Sequence, residues 1–356
     1  MHGNVDLDEL DRRLVTALQI SPRASWHRVG QVVGVSASTA ARRWERLTES
    51  GLAWFSCHPL RLPGVSAVLA VIEVDCVAAR LPEVATAIVE DSHVFNLSHV
   101  TGPHDLIMFA AFTDQVSLGR YLRFRLGCLD GVQSARAHVV TGLHMDGSRW
   151  RLDRLTPAHH AILLAGRPST AVAHAVPDAA DLALMAALST DPRRSAADLT
   201  RDTGLTAASV RRHLARIDAA RFLAIRCEVA RCVSGWPAAV SFCATIPPDQ
   251  ANRIANEVAR LRETRFCVLS LSGPDNLMFA VWLRTLADFQ PFETMLATRI
   301  PELVVVARGM ALWQMKLGGH ILDPAGRHVR GVPMALWSEE NAVAAERTLL
   351  DGMRRG

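Results

Sequence analysis

The 356-residue sequence is poor in several residue types, and each shortage narrows the classes of protein that it can encode. It has one tyrosine, Tyr121, and one lysine, Lys316, so arginine carries almost all of its basic charge. No apolar run approaches the roughly 18–20 uncharged residues of a membrane helix. Residues 1–9 are acidic and polar and lack the basic and apolar regions of a signal peptide. These shortages predict a cytoplasmic protein.

Motifs of common enzymes and metal sites are also missing. The seven cysteines form no CxxC pair and no zinc-ligand spacing, which is typical of small buried thiols in a reducing compartment. The sequence contains no glycine-rich nucleotide-binding loop, no HExxH zinc motif and no GxSxG nucleophile motif. The adjacent pair His159 and His160 points in two directions and has no evident third ligand. We therefore expect no enzyme of these classes, no metal and no cofactor.

The chain repeats itself, and the repeat organises the rest of the sequence. A shift of 170 residues superimposes the first fifty or so residues on the middle of the chain without a gap, and a shift of 171 continues the match. Apolar, glycine and arginine positions agree together, which scattered leucine matches would not do. The matched pairs include Asp8 with Asp178, Asp11 with Asp181, Leu14 with Leu184, Gly34 with Gly204, Arg42 with Arg212, and Gly102 with Gly273.

Two copies of a two-part unit follow from this repeat, with a linker rich in proline and glycine between them. The linker contains one short predicted helix near residues 158–165, and a C-terminal helix is predicted from about Ser338 to Met353. We predict these domains: helix-turn-helix 1–60, sensing domain 61–145, linker 146–176, helix-turn-helix 177–232, sensing domain 233–318, and a tail with a helix 319–356.

The first part of each copy has the pattern of a helix-turn-helix. Leu7, Leu10, Leu14 and Leu18 recur at helical spacing, with Asp6 as a plausible cap. A short capped helix, a glycine turn and a third helix follow. In a helix-turn-helix the third helix enters the major groove of DNA and its N-terminal residues contact base edges. The sequence therefore predicts two recognition helices.

The predicted DNA contacts lie on the free faces of these two helices. We expect Arg42 to face base edges, whereas Arg43 and Arg46 are better placed for phosphates, which supply affinity without sequence information. In the second copy, His213 and its arginine neighbours are predicted to face outward. The candidate residues are Ser36, Ser38, Thr39, Arg42, Arg43 and Arg46 in the first copy, and Thr206, Ser209, Arg211, Arg212, His213 and Arg216 in the second.

The second part of each copy predicts a small α/β sandwich. In the first copy, strands are expected at 66–74, 94–100, 106–112 and 132–140, with helices after the first and third strands. The order β-α-β-β-α-β is the ferredoxin-like arrangement. The fold class is therefore α+β: two tandem copies of a winged helix-turn-helix plus a ferredoxin-like βαββαβ sandwich.

Three stretches resemble the Lrp/AsnC (feast/famine) family of transcriptional regulators. Residues 5–14 are similar to that family's opening helix, and residues 35–43 to its recognition helix. Gly102, Pro103, His104 and Asp105 look like the glycine-to-aspartate loop of its sensing domain, which is known as the RAM domain. The resemblance implies a regulator that binds double-stranded DNA, assembles into homo-oligomers and responds to a small-molecule effector, usually an amino acid.

The resemblance also implies where the effector binds, namely near this loop at interfaces between sensing domains. An aspartate can pair with an effector's ammonium group, but the second copy has asparagine at that position. A turn-capping role for Asp105 remains an equal alternative. The implied effector residues are Gly102, Pro103, His104 and Asp105, and their counterparts Gly273, Pro274, Asp275 and Asn276.

Two other functions stay open. The chain is similar in outline to the duplicated siroheme decarboxylases, whose motif resembles H-R-x-x-G-[YF]-x-x-N. The matching stretches, residues 58–64 and 228–231, lack that motif. A sensor or co-regulator whose helix-turn-helix units contact only protein is the other alternative.

Overall fold

We describe the fold from a computed structural model, which places residues 7–59, 67–165, 176–189, 191–220, 222–333 and 340–355. Both copies contain three helices, then a strand, then a βαββαβ sandwich. The α+β fold class and the tandem organisation predicted from the repeat are confirmed.

In the first helix-turn-helix, each helix begins where a side-chain oxygen accepts a backbone N–H. Asp8, Ser25 and Ser36 are the three caps, and Gly34 ends the second helix with a left-handed φ of 85°. The cap of the first helix is thus Asp8, whereas Asp6, the predicted cap, lies outside the described residues. The helices are α1 (Glu9–Ile20), α2 (Trp26–Val33) and α3 (Ala37–Glu49).

The second helix-turn-helix repeats this construction. Asp178 and Ser195 cap its first two helices, and Gly204 takes the left-handed turn with a φ of 69°. Leu184 and Leu188 are as fully buried as Leu14 and Leu18 of the first copy. The helices are α7 (Ala179–Leu188), α8 (Ala196–Thr203) and α9 (Ala207–Ala220).

A two-stranded antiparallel sheet joins the two helix-turn-helix units. It consists of β1 (Ala53–Pro59) and β6 (Leu223–Val229), with Ser56 opposite Arg226 at its centre. These two residues are equivalent under the 170-residue shift, and the shift exchanges the pairs on either side, since Phe55 pairs with Cys227 and Cys57 with Ile225. An approximate two-fold axis therefore passes between them, and the chain is built like a symmetric dimer.

The sensing modules have the predicted order of elements. In the first copy they are β2 (Val68–Cys76), α4 (Leu81–Val89), β3 (Val94–Val100), β4 (Leu106–Phe112), α5 (Gln115–Arg120, continued by a π-helical turn Tyr121–Leu126) and β5 (Val132–Met145). In the second they are β7 (Ala238–Thr245), α10 (Ala251–Ala259), β8 (Thr264–Ser270), β9 (Leu277–Leu283), α11 (Phe289–Arg299) and β10 (Val304–Leu317).

The last strand of each module is shared between the two sheets. β5 pairs with β2 of its own module and with β8 of the other, while β10 pairs with β7 and then with β3. Each is 14 residues long because it serves two sheets. The predicted end of β5, at 140, was too early, since a strand that continues into another module shows no local break. Val71, Val268 and Met278 are buried together where the two sheets meet.

Two further pieces flank the second module. The linker helix α6 (Pro157–Leu164) packs against α1 and α2. After β10, a hairpin of β11 (His320–Leu322) and β12 (His328–Gly331) extends the sheet around a turn in which Gly326 N donates to Asp323 O. The strands of this hairpin were not predicted from the sequence. The last helix is α12 (Glu340–Arg355), and the predicted cap Ser338 lies outside the described residues. Among the described helices, none has the length and apolarity to span a membrane.

Candidate nucleic-acid interface and effector pocket

The two recognition helices, α3 and α9, present their N-terminal ends to solvent. Ser36, Ser38 and Arg42 are exposed on α3, while Ala40, Trp44 and Leu47 are buried against the other helices. The Ser36 hydroxyl lies 2.9 Å from that of Ser38 and 2.8 Å from that of Thr39, so the cap also orders its neighbours. On α9, the exposed candidates are Thr206, Arg211 and Arg212, with Ser209 half-buried.

Two of the predicted phosphate-binding arginines of α3 are held by α1 instead. Arg43 donates to Asp8 at 2.7 Å and to Asp11 at 2.9 Å, and Arg46 donates to Asp11 at 2.5 Å. Asp11 is 1% exposed, and its hydrogen bonds, with those of Asp8, raise the pKa of Arg43. The carboxylates already compensate these charges, so the arginines brace α3 against α1. Their role as phosphate contacts stays a prediction, and it now concerns guanidinium groups that already form ion pairs.

The second copy has the same brace with one change. His213 stands where Arg43 stands, and its Nδ1 lies 2.8 Å from an oxygen of Asp181, which is fully buried. Arg216 pairs with Asp178 at 2.7 Å and with Asp181 at 3.0 Å. His213 is 7% exposed, so the prediction that it faces outward was wrong. Its ring completes the contact between α7 and α9.

The arginines left for DNA are fewer than the sequence suggested. Arg42 and Arg211 are exposed, and neither has a hydrogen bond or ion pair within the described ranges. Arg212 is exposed and makes only long contacts, 3.4 Å to Ser209 Oγ and 3.5 Å to His213 Nε2. Guanidinium groups of this kind can donate to phosphates or to guanine edges.

The two glycine loops have equivalent structures, and their last residues brace the backbone. Oδ2 of Asp105 accepts a hydrogen bond from Cys76 N at 2.7 Å. Asn276 accepts from Ile246 N and donates to Ile246 O, both at 2.9 Å. Cys76 and Ile246 are themselves equivalent under the 170-residue shift. Asp105 therefore caps the turn. The asparagine in the second copy makes the equivalent hydrogen bond and also donates to a backbone carbonyl, that of Ile246.

A pocket of about 420 Å³ lies where the two loops approach each other, and we call it the loop pocket. Of the eight predicted effector residues it contains Pro103, His104, Gly273, Pro274 and Asp275, whereas Gly102, Asp105 and Asn276 are not among its lining residues. The other lining residues are Glu73, Val100, Thr101, Ile107, Arg136, His138, Ser241, Cys243, Val306, Ala307 and Arg308.

A carboxylate shared by two histidines forms the first-copy wall of the loop pocket. Oε2 of Glu73 lies 3.0 Å from Nε2 of both His104 and His138. The hydrogen bond to Glu73 raises the pKa of His138 despite its burial. Nδ1 of His104 lies 2.8 Å from Asp75. Burial alone would raise the pKa of Asp75, but hydrogen bonds from Ser134 and His104 outweigh burial and lower it.

The second-copy wall contains a buried carboxylate, one oxygen of which accepts no hydrogen bond from the described residues. Asp275 is 7% exposed, and its Oδ2 has no hydrogen-bond partner in the part of the chain that the structure describes. Burial, with the charges of Asp275 and Glu73, raises the pKa of the Cys243 thiol to about 12. A buried acceptor without a donor is costly, so this oxygen suits a cationic or hydrogen-bonding ligand.

Four residues of the loop pocket that lie on strands were not predicted from the sequence: Glu73, Arg136, His138 and Arg308. One signal for Glu73 was available, because it interrupts an otherwise apolar, β-branched central strand. The other three lie in strands β5 and β10, whose mixed polarity gives no local indication that they converge.

Comparison with known proteins matches the first copy to two family models. Residues 7–48 match the AsnC-type helix-turn-helix domain, and residues 69–149 match the Lrp/AsnC ligand binding domain. The chain is 29% identical over 138 residues to an uncharacterized HTH-type transcriptional regulator of Pyrococcus furiosus, covering 38% of this chain and 93% of that protein. It is 27% identical to the HTH-type transcriptional regulator Ptr1 of Methanocaldococcus jannaschii, covering 40% and 97% respectively.

A solved structure matches both copies together. The siroheme decarboxylase NirDL superimposes with a TM-score of 0.58 at 12% identity, over 97% of this chain and 100% of that one. At this identity the likeness concerns the fold, and it confirms that the duplicated architecture exists elsewhere. The first copy is thus similar to the helix-turn-helix and ligand-binding domains of the Lrp/AsnC family, and the fold of this chain contains the same two-part unit twice.

Proposed function

We propose that the protein is a sequence-specific DNA-binding transcriptional regulator, with α3 and α9 as its recognition helices. The observation that carries this proposal is the pair of exposed N-terminal helix ends, each with an arginine that pairs with no carboxylate of the described residues, Arg42 and Arg212. The approximate two-fold axis between β1 and β6 relates these ends within one chain. A single chain would then bind two half-sites, as dimeric helix-turn-helix proteins do.

The loop pocket is the proposed effector site, and its charges suit an amino acid. Oδ2 of Asp275 would accept the ammonium group, because it is buried and no N–H or O–H group donates to it in the described ranges, its neighbour being the weakly donating thiol of Cys243. Arg136 and Arg308 supply positive charge for a carboxylate, although Arg136 also lies 3.5 Å from Asp75 and Arg308 also pairs with Glu293 at 2.5 Å. Both copies line the pocket, so a ligand there would bridge the two sensing modules.

We also propose that chains associate in a cytoplasmic oligomer. Val304 and Val306 lie two residues apart on β10, both are more than half exposed, and Val306 lies at the loop pocket. Exposed apolar residues that lie side by side are typical of interaction surfaces. Sedimentation equilibrium of the full chain tests this, and a strictly monomeric species at micromolar concentration would contradict it.

DNA binding is tested with the purified full chain and the duplex upstream of its own gene. Retardation in a gel should weaken as salt rises, because phosphate contacts release counterions. Arg42→Ala and Arg212→Ala should each weaken binding, while Arg253→Ala, an exposed arginine on α10, should not. No retardation of any duplex at low salt would contradict the proposal and favour a function in protein contacts alone.

Effector binding is tested by melting temperature with each of the twenty amino acids. At least one should raise the melting temperature, since a ligand that binds only the folded state stabilises it. Asp275→Asn should abolish that shift and Asp105→Asn should retain it. If no amino acid shifts the wild-type protein, the effector belongs to another chemical class.

A further inference from the structure

A second pocket, separate from the loop pocket, lies beneath the linker on the second-copy side, and we call it the arginine pocket. It has a volume of about 330 Å³ and is formed by the segment that follows β5 and the turn that follows α10. Its lining residues are Met145, Arg149, Trp150, Arg151, Asp153, Arg154, Ala259, Arg260, Leu261, Arg262 and Thr264.

Its charge is strongly unbalanced, with five arginines and a single acid, Asp153. Arg149 donates to His144 O, and Arg151 donates to Ser148 O and Trp150 O, so these two are oriented by backbone carbonyls. Within the described ranges, none of the five forms an ion pair with a carboxylate. In contrast, most other arginines whose contacts are known from the structure pair with Asp or Glu.

The arginine pocket is also lined by a tryptophan whose indole N–H has no described hydrogen-bond acceptor. Trp150 is 4% exposed, and its indole Nε1 donates to no described atom. The guanidinium of Arg265 lies over this ring, 4.4 Å from its centroid. Burial, followed by the charge of Arg265, lowers the pKa of Arg151. Uncompensated positive charge and a spare N–H donor thus occur at one place.

The equivalent place in the first copy is charge-balanced. Under the 170-residue shift, Arg260 and Arg262 correspond to Glu90 and Ser92. Glu90 pairs with Arg330, and the neighbouring Asp91 pairs with Arg125 at 2.9 Å. The turn after the first sensing helix therefore carries acids that form ion pairs in the first copy. In the second copy it carries arginines that pair with no described carboxylate and are available to an anion.

We propose that the arginine pocket binds a phosphorylated small molecule. Guanidinium groups donate in pairs to phosphate oxygens, and several arginines around one concave site match a pyrophosphate or a nucleotide phosphate chain better than a single carboxylate. The apolar lining of Met145, Ala259 and Leu261 leaves room for a non-phosphate part beside Trp150. This ligand is distinct from the amino acid proposed for the loop pocket.

The test is isothermal titration calorimetry of the full chain with inorganic pyrophosphate and, separately, with ATP at constant ionic strength. The wild-type protein should bind at least one of them saturably, with one site per chain. The double variant Arg260→Glu, Arg262→Ser installs the first-copy residues and should lose at least tenfold in affinity. The matched control Arg253→Glu, Arg299→Ser changes the same charges on neighbouring helices and should retain wild-type affinity.

Two further measurements keep the outcome clear. Arg260→Ser alone changes an exposed side chain without a partner in the described residues, so it should fold normally and still weaken binding severalfold. The double variant should also retain wild-type affinity for duplex DNA. If neither pyrophosphate nor ATP binds, or if they bind the double variant and the wild-type protein equally, the proposal is overturned. It is also overturned if the double variant loses only DNA affinity, which would make these arginines part of the DNA interface.

Discussion

The two copies of the repeat share their backbone-supporting residues and differ in the charges around their pockets. Both helix-turn-helix units have a buried aspartate, Asp11 or Asp181, that braces the first helix against the third. Both sensing modules have a loop residue, Asp105 or Asn276, that accepts a hydrogen bond from an equivalent backbone N–H. These contacts are what the common fold needs, and they have equivalents under the repeat.

The pockets show the opposite pattern. Glu73 and His104 of the loop pocket correspond to Cys243 and Asp275 in the second copy, so one pocket wall carries a histidine–carboxylate network and the other an open carboxylate. At the turn after the first sensing helix, Glu90 corresponds to Arg260. A duplicated chain can thus keep the symmetry of a dimer while each half acquires its own ligand chemistry, which identical subunits cannot do.

The largest expected effect tests the shared part of this comparison. Leu14→Ala and Leu184→Ala each remove a fully buried side chain at equivalent positions and should each cost about 2–5 kcal/mol of unfolding free energy. Urea unfolding, with hydrogen exchange to assign the loss to α1 or α7, measures both. A near-zero cost at one position alone would show that the two helix-turn-helix units are not packed alike.

DNA affinity should separate the two recognition helices. Arg42→Ala should cost about 1–3 kcal/mol of binding free energy, the usual loss for an arginine at a base edge. Arg212→Ala should cost less, because Arg212 is already drawn towards Ser209 and His213. Fluorescence anisotropy with one duplex compares them, and a larger loss for Arg212→Ala would reverse the proposed order.

Exchanging the loop residues should have unequal effects on stability. Asp105→Asn keeps an oxygen for Cys76 N and should cost less than about 1 kcal/mol. Asn276→Asp loses the donor to Ile246 O and sets a carboxylate against that carbonyl, so it should cost about 1–3 kcal/mol. Thermal unfolding of both variants is the measurement, and equal costs would contradict the assigned hydrogen bonds.

The smallest expected effect is a pH dependence at the loop pocket. The raised pKa of His138 means that the protonated ring is favoured in the folded protein. Its stabilising contribution should be fully present below pH 6.5, the ordinary pKa of histidine, and should disappear as pH rises through the raised value. The difference in melting temperature between the wild type and His138→Gln should shrink over that range. A difference that grows with pH would contradict the hydrogen bond to Glu73.

Local patterns predicted most of this fold, because helix caps, glycine turns and strand alternation are short-range signals. The shift that aligned Asp8 with Asp178 also predicted the duplicated architecture. Long-range contacts were beyond the sequence, including the continuation of β5 and β10 into the opposite module and the hairpin from His320 to Gly331.

The candidate sites were predicted less completely than the fold. Outward helix faces were identified, but the sequence could not show that Arg43, Arg46 and Arg216 are engaged by carboxylates three dozen residues away. His104 and Asp275 of the predicted loops line a pocket, whereas the strand residue Glu73 joins them only because the two modules pack together. Side-chain partners depend on tertiary packing, which periodicity does not encode.

A footprint of the purified full chain on the DNA upstream of its gene tests the central claim most directly. Two recognition helices related by the axis between β1 and β6 predict two protected half-sites, separated by about one helical turn or a whole multiple of it. The protection should vanish in the double variant Arg42→Ala, Arg212→Ala. Protection that persists unchanged in that variant, or no protection at low salt, would contradict the assignment of α3 and α9 as the DNA-binding elements.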